Sequence, residues 1–360
     1  MKFNLSDVLE AARGVNSSDI HFKVGYVPTF RVEGILTGTD GLSPLSQDDL
    51  NEIIGCFLSE DKLALLKERG DIDTSFETRI EDVTLRYRVN VAQDKNGGYA
   101  TLRLIPDKIL GIEKIGFPNN VYRDIVSLNS GLVLVTGVTG SGKTTTLASI
   151  INEINKLRGD HIITLEDPIE YVYGPVKSII SQRELGTSLS SFGAGVKYAL
   201  RQDPDVILIG EIRDKDTAEK SLEAAATGHL VLSTLHTRSA DETASRYVNL
   251  FPHDDHDNIR STLASTLAYV LSQQLIPYQK TVGRTLAMEV MNVKDSPAVQ
   301  NRIRKGEYHM LPSEIQTGAK YNMIQMDKHL EELVKYNKIE SEDAIAYARN
   351  PENLRKTFSS

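Results

Sequence analysis

Hydrophobic and polar residues alternate strongly in two neighbouring stretches of the N-terminal part, residues 83–91 and 99–105. A period of two is typical of strands that bury one face, and the turn-forming run Asp94-Lys95-Asn96-Gly97-Gly98 between them predicts a hairpin. The other elements predicted here are strands at 20–24 and 29–34 and helices at 47–58 and 60–69. Residues 1–107 are therefore predicted to form a small α+β domain with a half-exposed sheet.

From residue 121 onwards, apolar runs of strand length alternate with helical segments, which indicates a parallel sheet. The predicted strands are 131–136, 161–165, 178–181, 205–209 and 230–235, with helices that include 192–201 and 217–226. Beyond Pro252 the pattern is mainly helical, apart from a strand at 284–291. Prolines and glycines interrupt residues 108–118, which are predicted to link the first domain to a second at 119–360.

The composition narrows the classes of protein to consider. The 360 residues carry 41 basic and 49 acidic side chains, a net charge of −8, with no basic block that would indicate a nucleic-acid partner. No apolar stretch approaches the roughly 20 residues of a membrane span, and the first 14 residues are not expected to be a signal peptide. We therefore expect a soluble, cytosolic protein. Its one cysteine, Cys56, excludes an internal disulfide and is expected to pack in the apolar face of residues 50–58.

One glycine-rich run carries specific chemistry. Gly137-Val138-Thr139-Gly140-Ser141-Gly142-Lys143-Thr144 fits the phosphate-loop pattern, between a predicted buried strand and a predicted helix over 145–156. Its glycines let backbone N–H groups face an anion, to which the helix N-terminus adds partial positive charge. Lys143 is expected to reach the β- and γ-phosphates of ATP, and the Thr144 hydroxyl to bind Mg²⁺, with Thr145 completing the nucleotide-binding set.

Carboxylates follow two other predicted strands, near the edge where ligands bind in parallel sheets. Glu166, Asp167 and Glu170 offer a base for water and ligands for Mg²⁺, although this motif alone is more typical of a solvated acidic junction. The strand at 205–209 is followed by Gly210 and Glu211. Phosphate-loop ATPases usually carry an aspartate at the position that Gly210 occupies here. Glu211 is then expected to serve alone, as the orienter of water or as a metal partner.

Two histidines flank the predicted strand at 230–235. A strand rises about 3.3 Å per residue, so His229 and His236 stand some 20 Å apart and cannot share one phosphate. His236, at the carboxyl end, is the candidate γ-phosphate sensor. His229 is expected to be structural or to lie at an interface.

Together these motifs resemble those of the secretion ATPase superfamily, the motors of type II secretion and type IV pili. The similarity begins at Ser18-Asp19-Ile20-His21 and Phe30-Arg31-Val32-Glu33-Gly34 and includes an aspartate box, a second acidic motif and a histidine box, which are Glu166-Asp167-Pro168-Ile169-Glu170, Gly210-Glu211-Ile212-Arg213-Asp214 and residues 227–236. Within the superfamily the chain is most similar to PilT-type pilus retraction ATPases, through Ser313-Glu314-Ile315-Gln316-Thr317-Gly318 and residues 296–304.

The resemblance implies an α/β fold in which a PAS-like α+β domain precedes a RecA-like ATPase domain with a helical C-terminal part. It implies a homohexamer that uses ATP and Mg²⁺ to retract pili at the cytoplasmic face of the inner membrane, where a pilus platform protein is the partner. Arg88 and Arg103 match the family's arginines that reach the nucleotide, although ordinary surface arginines are the alternative. A short helix from Ser296 is expected to bury Val299 and Ile303 and to leave Arg302, Arg304 and Lys305 outward.

Other functions compete with this one. An assembly ATPase is the nearest, although such enzymes usually carry a four-cysteine zinc motif that a chain with only Cys56 cannot build. A nucleic-acid translocase and a nucleotide-sensing scaffold that does not hydrolyse ATP are more distant alternatives. The acidic balance argues against the translocase, and only the glycine at position 210 favours the scaffold.

Overall fold

A computed structural model describes residues 4–32, 34–39, 41–80, 83–95, 97–105 and 108–359; Glu33 and Asn96, quoted above, lie outside the described residues. The fold is mixed α/β with two sheets. The chain forms two compact units, one made of Met1–Lys108 and Pro168–Val172 and the other of Ile109–Asp167 and Tyr173–Ser360.

The first unit contains three helices and a six-stranded antiparallel sheet within the described residues. Its elements are α1 (Leu5–Gly14), β1 (Asp19–Lys23), β2 (Thr29–Val32), β3 (Ile35–Gly38), α2 (Gln47–Phe57), α3 (Glu60–Arg69), β4 (Asp71–Ile80), β5 (Val83–Asp94) and β6 (Gly97–Ile105). The strand order is β3-β2-β1-β6-β5-β4, and one face packs on the helices around a core that includes Phe22, Leu50 and Val89. The predicted hairpin is confirmed as β5 and β6.

Two expectations for this unit are corrected. The sequence reading missed β4, an edge strand whose inward positions alternate apolar residues with threonines, so its hydrophobic pattern is weak. Cys56 is exposed rather than packed. The buried face of α2 consists of Leu50, Ile53, Ile54 and Phe57, and position 56 points away from that stripe at 3.6 residues per turn.

The second unit carries a seven-stranded sheet between layers of helices. Its strands are β7 (Gly131–Thr136), β8 (His161–Glu166), β9 (Ile179–Glu184), β10 (Val206–Ile209), β11 (Leu230–Leu235), β12 (Leu267–Pro277) and β13 (Arg284–Asn292). Its α-helices are α4 (Ile112–Ile115), α5 (Tyr122–Val126), α6 (Lys143–Leu157), α7 (Phe192–Ala199), α8 (Lys215–Ala226), α9 (Ala240–Val248), α10 (His256–Thr266), α11 (Pro297–Lys305), α12 (Leu311–Thr317), α13 (Met326–Lys335), α14 (Ser341–Tyr347) and α15 (Pro351–Ser359). Short 3-10 turns occur at Pro118–Asn120, His253–Asp255, Tyr308–Met310 and Ala319–Tyr321.

The strand order of this sheet is β13-β12-β7-β11-β10-β8-β9. All neighbouring pairs are parallel except β12 with β13, so the predicted parallel sheet is confirmed. Every residue of β7, β10 and β11 is buried, which is why these strands read as continuous apolar runs. The carboxyl ends of β7, β11 and β10 therefore lie side by side.

The strand β12 was not predicted, because the pattern beyond Pro252 was read as helical. Helix α10 ends at Thr266 and β12 begins at Leu267, with no glycine or proline between them to mark the change. The β12–β13 hairpin supports a separate hydrophobic cluster with the C-terminal helices, which includes Ile276, Ala287 and Leu330. Among the described helices, none combines the length and the apolar character that a bilayer crossing needs.

A buried histidine joins α13 to β13. The Nδ1 atom of His329 accepts a hydrogen bond from the Met288 N–H at 2.9 Å, and the side chain is 5% exposed. Burial lowers the pKa of His329 from 6.5 to about 4. The unfolded chain therefore binds this proton more readily than the folded protein, so stability that is present above pH 6.5 is lost as the pH falls towards 4.

We expect protonation of His329 to lower the free energy of unfolding by about 3 kcal/mol between pH 7 and pH 4, because each unit of pKa difference corresponds to about 1.4 kcal/mol. The variant His329→Gln keeps an acceptor for Met288 but does not titrate. Urea unfolding of both proteins across this pH range should show the wild type losing more stability than the variant. His309→Gln, at an exposed position, is the control. Parallel curves for wild type and His329→Gln would contradict this assignment.

Candidate nucleotide site

The phosphate loop connects β7 to α6, and its first glycine is required by close packing. Gly137 has φ +146°, and a Cβ there would lie 2.4 Å from the Gln273 carbonyl oxygen and 2.5 Å from Ser141 Oγ. Gly142, the N-cap of α6, has φ +87°, which also favours glycine. The loop therefore turns sharply off a buried strand and delivers the N-terminus of a 15-residue helix to the edge of the sheet.

The loop residues have the donors that a phosphate group needs. Lys143 is 9% exposed, and its Nζ donates to the carbonyl oxygens of Gly137 and Val138 at 2.9 and 3.2 Å. The hydroxyl of Ser141 is buried and has no hydrogen-bond partner among the described residues. An ammonium, an unsatisfied hydroxyl and a helix N-terminus at one place fit an anionic ligand. Val138, Thr139, Gly140 and Thr144 are exposed, and Thr145 is half-buried.

Gln273 on β12 holds the loop from behind, and sequence reasoning gave it no role. Its side-chain Nε2 donates to the Ser141 carbonyl oxygen at 2.6 Å. Its backbone carbonyl oxygen occupies the space that a side chain on Gly137 would need. Next to it, Ser272 Oγ lies 2.7 Å from Thr136 Oγ1, the hydroxyl that directly precedes the loop. Because β12 was read as helix, neither contact could be anticipated.

Glu211 and His236 meet at the carboxyl ends of β10 and β11. His236 Nε2 lies 3.5 Å from Glu211 Oε2, and Arg213 forms an ion pair with Glu211 Oε1. The pKa of His236 lies below its usual value, because burial and the Lys143 ammonium outweigh the attraction of Glu211. The lowered pKa favours the uncharged imidazole at neutral pH. Arg213 was quoted in the acidic motif but assigned no role.

The glycine before Glu211 has a packing reason. A Cβ on Gly210 would approach the Leu165 carbonyl oxygen on β8 to 3.3 Å and the Glu166 Cα to 3.6 Å. The Gly210 N–H also donates to the Leu165 carbonyl at 2.8 Å. Close approach of these two strand ends thus favours glycine here, and Glu211 is the carboxylate that β10 presents.

The aspartate-box residues are divided between the two units. Glu166 is 6% exposed, and its Oε1 accepts from Thr164 Oγ1 at 2.6 Å and from Gln182 Nε2 at 3.1 Å. Its strand β8 is separated from β7 by β11 and β10. At ~4.8 Å per strand spacing, β8 lies about 14 Å from β7, the strand that leads into the phosphate loop. Asp167 is exposed, and Glu170 lies in Pro168–Val172 of the first unit. The metal role of Glu166 and Asp167 stays a prediction.

His229 lies at the other end of β11. Its Nδ1 is 3.0 Å from the Ala224 carbonyl and 3.2 Å from Thr227 Oγ1, at the turn that leads from α8 into the strand. The strand separates it from His236, which agrees with the predicted spacing.

The two candidate arginines are neighbours in the first unit. Arg88 on β5 lies directly opposite Arg103 on β6. Arg103 Nε is 2.7 Å from Asp19 Oδ1, and Arg88 Nη2 is 3.8 Å from Asp73 Oδ2. Burial would raise the pKa of Asp19, but hydrogen bonds from Arg103 and Ser18 hold it below its usual value. Each arginine thus has a carboxylate partner within the first unit, and the role of the pair at the nucleotide stays a prediction.

The helix from Ser296 is partly as expected. Ser296 caps α11, and Val299 and Ile303 are buried. Arg302, however, is not outward: it pairs with Glu307 at 2.6 Å and with Glu314 on α12 at 2.9 Å, so it joins two helices of its own chain. The prediction for Arg302 was wrong because both of its partners lie beyond the end of α11. Arg304 and Lys305 are exposed, as predicted.

Comparison with known proteins shows the family to which the chain belongs. The model of the Type II/IV secretion system protein family matches residues 2–358. The type IV pilus retractation ATPase PilT of Pseudomonas aeruginosa is 38% identical over 98% of this chain and 100% of its own length. A twitching motility protein of Neisseria gonorrhoeae is 38% identical over 91% of this chain and 86% of its own. The crystal structure of the pilus retraction motor PilT with bound ADP is similar with a TM-score of 0.89 at 37% identity, covering 98% of this chain and 99% of that one. The chain thus belongs to the Type II/IV secretion system protein family, in which it is similar to the PilT retraction ATPases as its motifs predicted.

Proposed function

We propose that this protein is an ATP-hydrolysing motor that retracts a type IV pilus. The observation that carries the proposal is the phosphate loop at the start of α6, beside a Glu211–His236 pair at the ends of the next two strands. Similarity to PilT over the full length of both chains supports retraction as the work that hydrolysis drives.

In this proposal the first domain, residues 1–107, is PAS-like and residues 119–360 form a RecA-like domain with a helical C-terminal part, joined by 108–118. The compact unit that begins with Met1–Lys108 supports the boundary. The motor is a homohexamer on the cytoplasmic face of the inner membrane, and it associates with the membrane through the pilus platform protein. The exposed side of α11, with Arg304 and Lys305, is the proposed contact for that partner.

Each residue of the proposed site has a separate role in ATP hydrolysis. Lys143 leaves the loop carbonyls to bind the β- and γ-phosphates, and the exposed Thr144 hydroxyl would hold Mg²⁺. Bound Mg²⁺ would neutralise charge on the phosphates. Glu211 orients the attacking water or supports the metal, with Glu170 as the second carboxylate. Neutral His236 donates a hydrogen bond towards the γ-phosphate, and Arg88 and Arg103 stabilise its developing charge.

Glu211→Gln should keep ATP affinity and lose turnover. An amide has nearly the same shape but is uncharged, so it cannot take up a proton at neutral pH and binds a metal more weakly. An interaction made mainly in the transition state appears as lost kcat. We expect a loss of about 100-fold or more, measured by steady-state phosphate release. Glu223→Gln, at an exposed position on α8, is the matched control. Turnover at the parental rate in Glu211→Gln would remove Glu211 from the mechanism.

Arg103→Ala should reduce kcat strongly and hardly change ADP affinity, because the guanidinium is proposed to act on the γ-phosphate alone. The Arg103 side chain is 69% exposed although its Nε pairs with Asp19, so its terminal N–H groups are accessible. The measurement pairs ATP turnover with the Kd of fluorescent ADP, and Arg69→Ala at an exposed site of α3 is the control. Equal losses of ADP and ATP binding would argue against a γ-phosphate role.

The direction of the motor is tested in cells. Deleting the gene, or replacing both Arg304 and Lys305 by glutamine, should leave cells with excess pili that cannot retract. The double variant should hydrolyse ATP normally when purified, because both side chains lie outside the nucleotide site, and Lys335→Gln on α13 is the control. Counting surface pili by electron microscopy decides the question. Cells without pili would identify an assembly ATPase instead.

A further inference from the structure

A buried carboxylate lies in the second unit outside every nucleotide motif. Glu289, in the middle of β13, is 1% exposed. Its Oε1 accepts the N–H of Ala240 at 3.0 Å and is 2.5 Å from Arg349 Nη2. Burial raises the pKa of Glu289, and the guanidinium and the backbone N–H oppose this effect. A charge this deep is costly unless it is paired, so the site depends on Arg349.

Arg349 comes from the C-terminal arm, residues 326–359, and its backbone is fixed there. Asp327 on α13 accepts the N–H groups of Arg349 and Asn350 at 2.7 and 2.9 Å. The guanidinium then reaches across β13, where its Nη1 also lies 3.5 Å from Asp241 Oδ1. One side chain therefore joins the C-terminal arm to Glu289 and to the first turn of α9.

The first turn of α9 holds the segment that follows His236. Only residues 237–239 separate His236 from α9, and they are held by α9 itself. Thr237 Oγ1 lies 2.6 Å from Thr243 Oγ1, and the Arg238 N–H donates to Glu242 Oε2 at 2.8 Å. The Ala240 N–H is fixed by Glu289. A shift of the α9 N-terminus would therefore carry the His236 segment with it.

The same carboxylate is close to the phosphate loop. Glu289 pairs in register with Ser272 on β12. The Ser272 hydroxyl contacts Thr136, which directly precedes Gly137, and the next residue, Gln273, holds Ser141. Thus Glu289 lies one strand away from the residues that shape the loop and one helix turn away from the segment that carries His236.

We propose that Arg349 is a positioning residue for ATP hydrolysis: through Glu289 and the N-terminus of α9 it fixes His236, so that the C-terminal arm controls the catalytic step. The proposal rests on the proposed function, in which His236 contacts the γ-phosphate. Stability alone is a weak reason for such a pair, since hydrophobic residues of similar size often replace buried ion pairs without loss. A pair that joins the arm to the His236 segment has a positional reason to exist.

The test compares Arg349→Met, which keeps the aliphatic stem, with Arg349→Lys, which keeps the charge, in the full-length protein. Arg349→Met should lower kcat about tenfold or more, because a displacement of about 1 Å can cost up to 100-fold, while the Kd for ADP stays within about twofold. Arg349→Lys should recover part of the loss. Arg355→Met, at an exposed position of α15, is the control and should be neutral.

A double-mutant cycle separates positioning from folding. If Arg349 acts through His236, adding Arg349→Met to His236→Ala should change kcat by less than about twofold. The pair Glu289→Gln with Arg349→Met removes the unpaired buried charge, so it should recover the Tm that Arg349→Met loses, without recovering the parental kcat. A parental kcat in Arg349→Met would overturn the proposal. So would losses that multiply in the His236→Ala background, or a kcat that returns together with Tm. If the unaltered protein shows no ATP turnover, the proposed function itself fails, which is a distinct result.

Discussion

The conformation of the phosphate loop in the second unit depends on the close approach of β12 to Gly137. Gly137 has no side chain, so the backbone of Gln273 can lie against it, and the Gln273 amide can hold Ser141. This packing fixes the backbone of the loop and the N-terminus of α6 before any ligand arrives. A loop backbone that is already shaped for an anion needs little reorganisation on binding, which favours affinity. In the sheet, β7 lies between β12 and β11.

The candidate catalytic side chains are divided between the two units. Within the described residues, the first unit presents Arg88 and Arg103 side by side, and the second presents Glu211 beside Lys143 and His236. Under the proposed function, hydrolysis requires that Arg88 and Arg103 contact the γ-phosphate that Lys143 binds. The two arginines can come from the same chain or from a neighbouring subunit.

The sequence was informative where a local pattern dictates local structure. The phosphate loop, the buried parallel strands and the β5–β6 hairpin each depend on residues within about a dozen positions, so they could be predicted. The strand β12 could not, because no turn residue separates it from α10 and its apolar run suits either element. Long-range contacts also escaped prediction. The partners of Arg302 include Glu314 on another helix, and Gln273 acts on a loop more than 100 positions earlier.

The same limit explains why Arg349 is visible only in three dimensions. It lies in no motif, and its partners Glu289, Asp327 and Asp241 come from three different elements. The sequence shows Glu289 as an isolated acid inside an apolar strand, a residue type that is rarely buried without a partner. Its carboxylate is satisfied at once by a helix N–H and by a guanidinium from the last part of the chain. A motor must convert chemistry at one edge of a sheet into displacement of distant helices, and polar contacts of this kind are stiff and directional. In this fold the contact from Arg349 to Glu289 is therefore a physical route by which the C-terminal arm and the catalytic edge constrain each other.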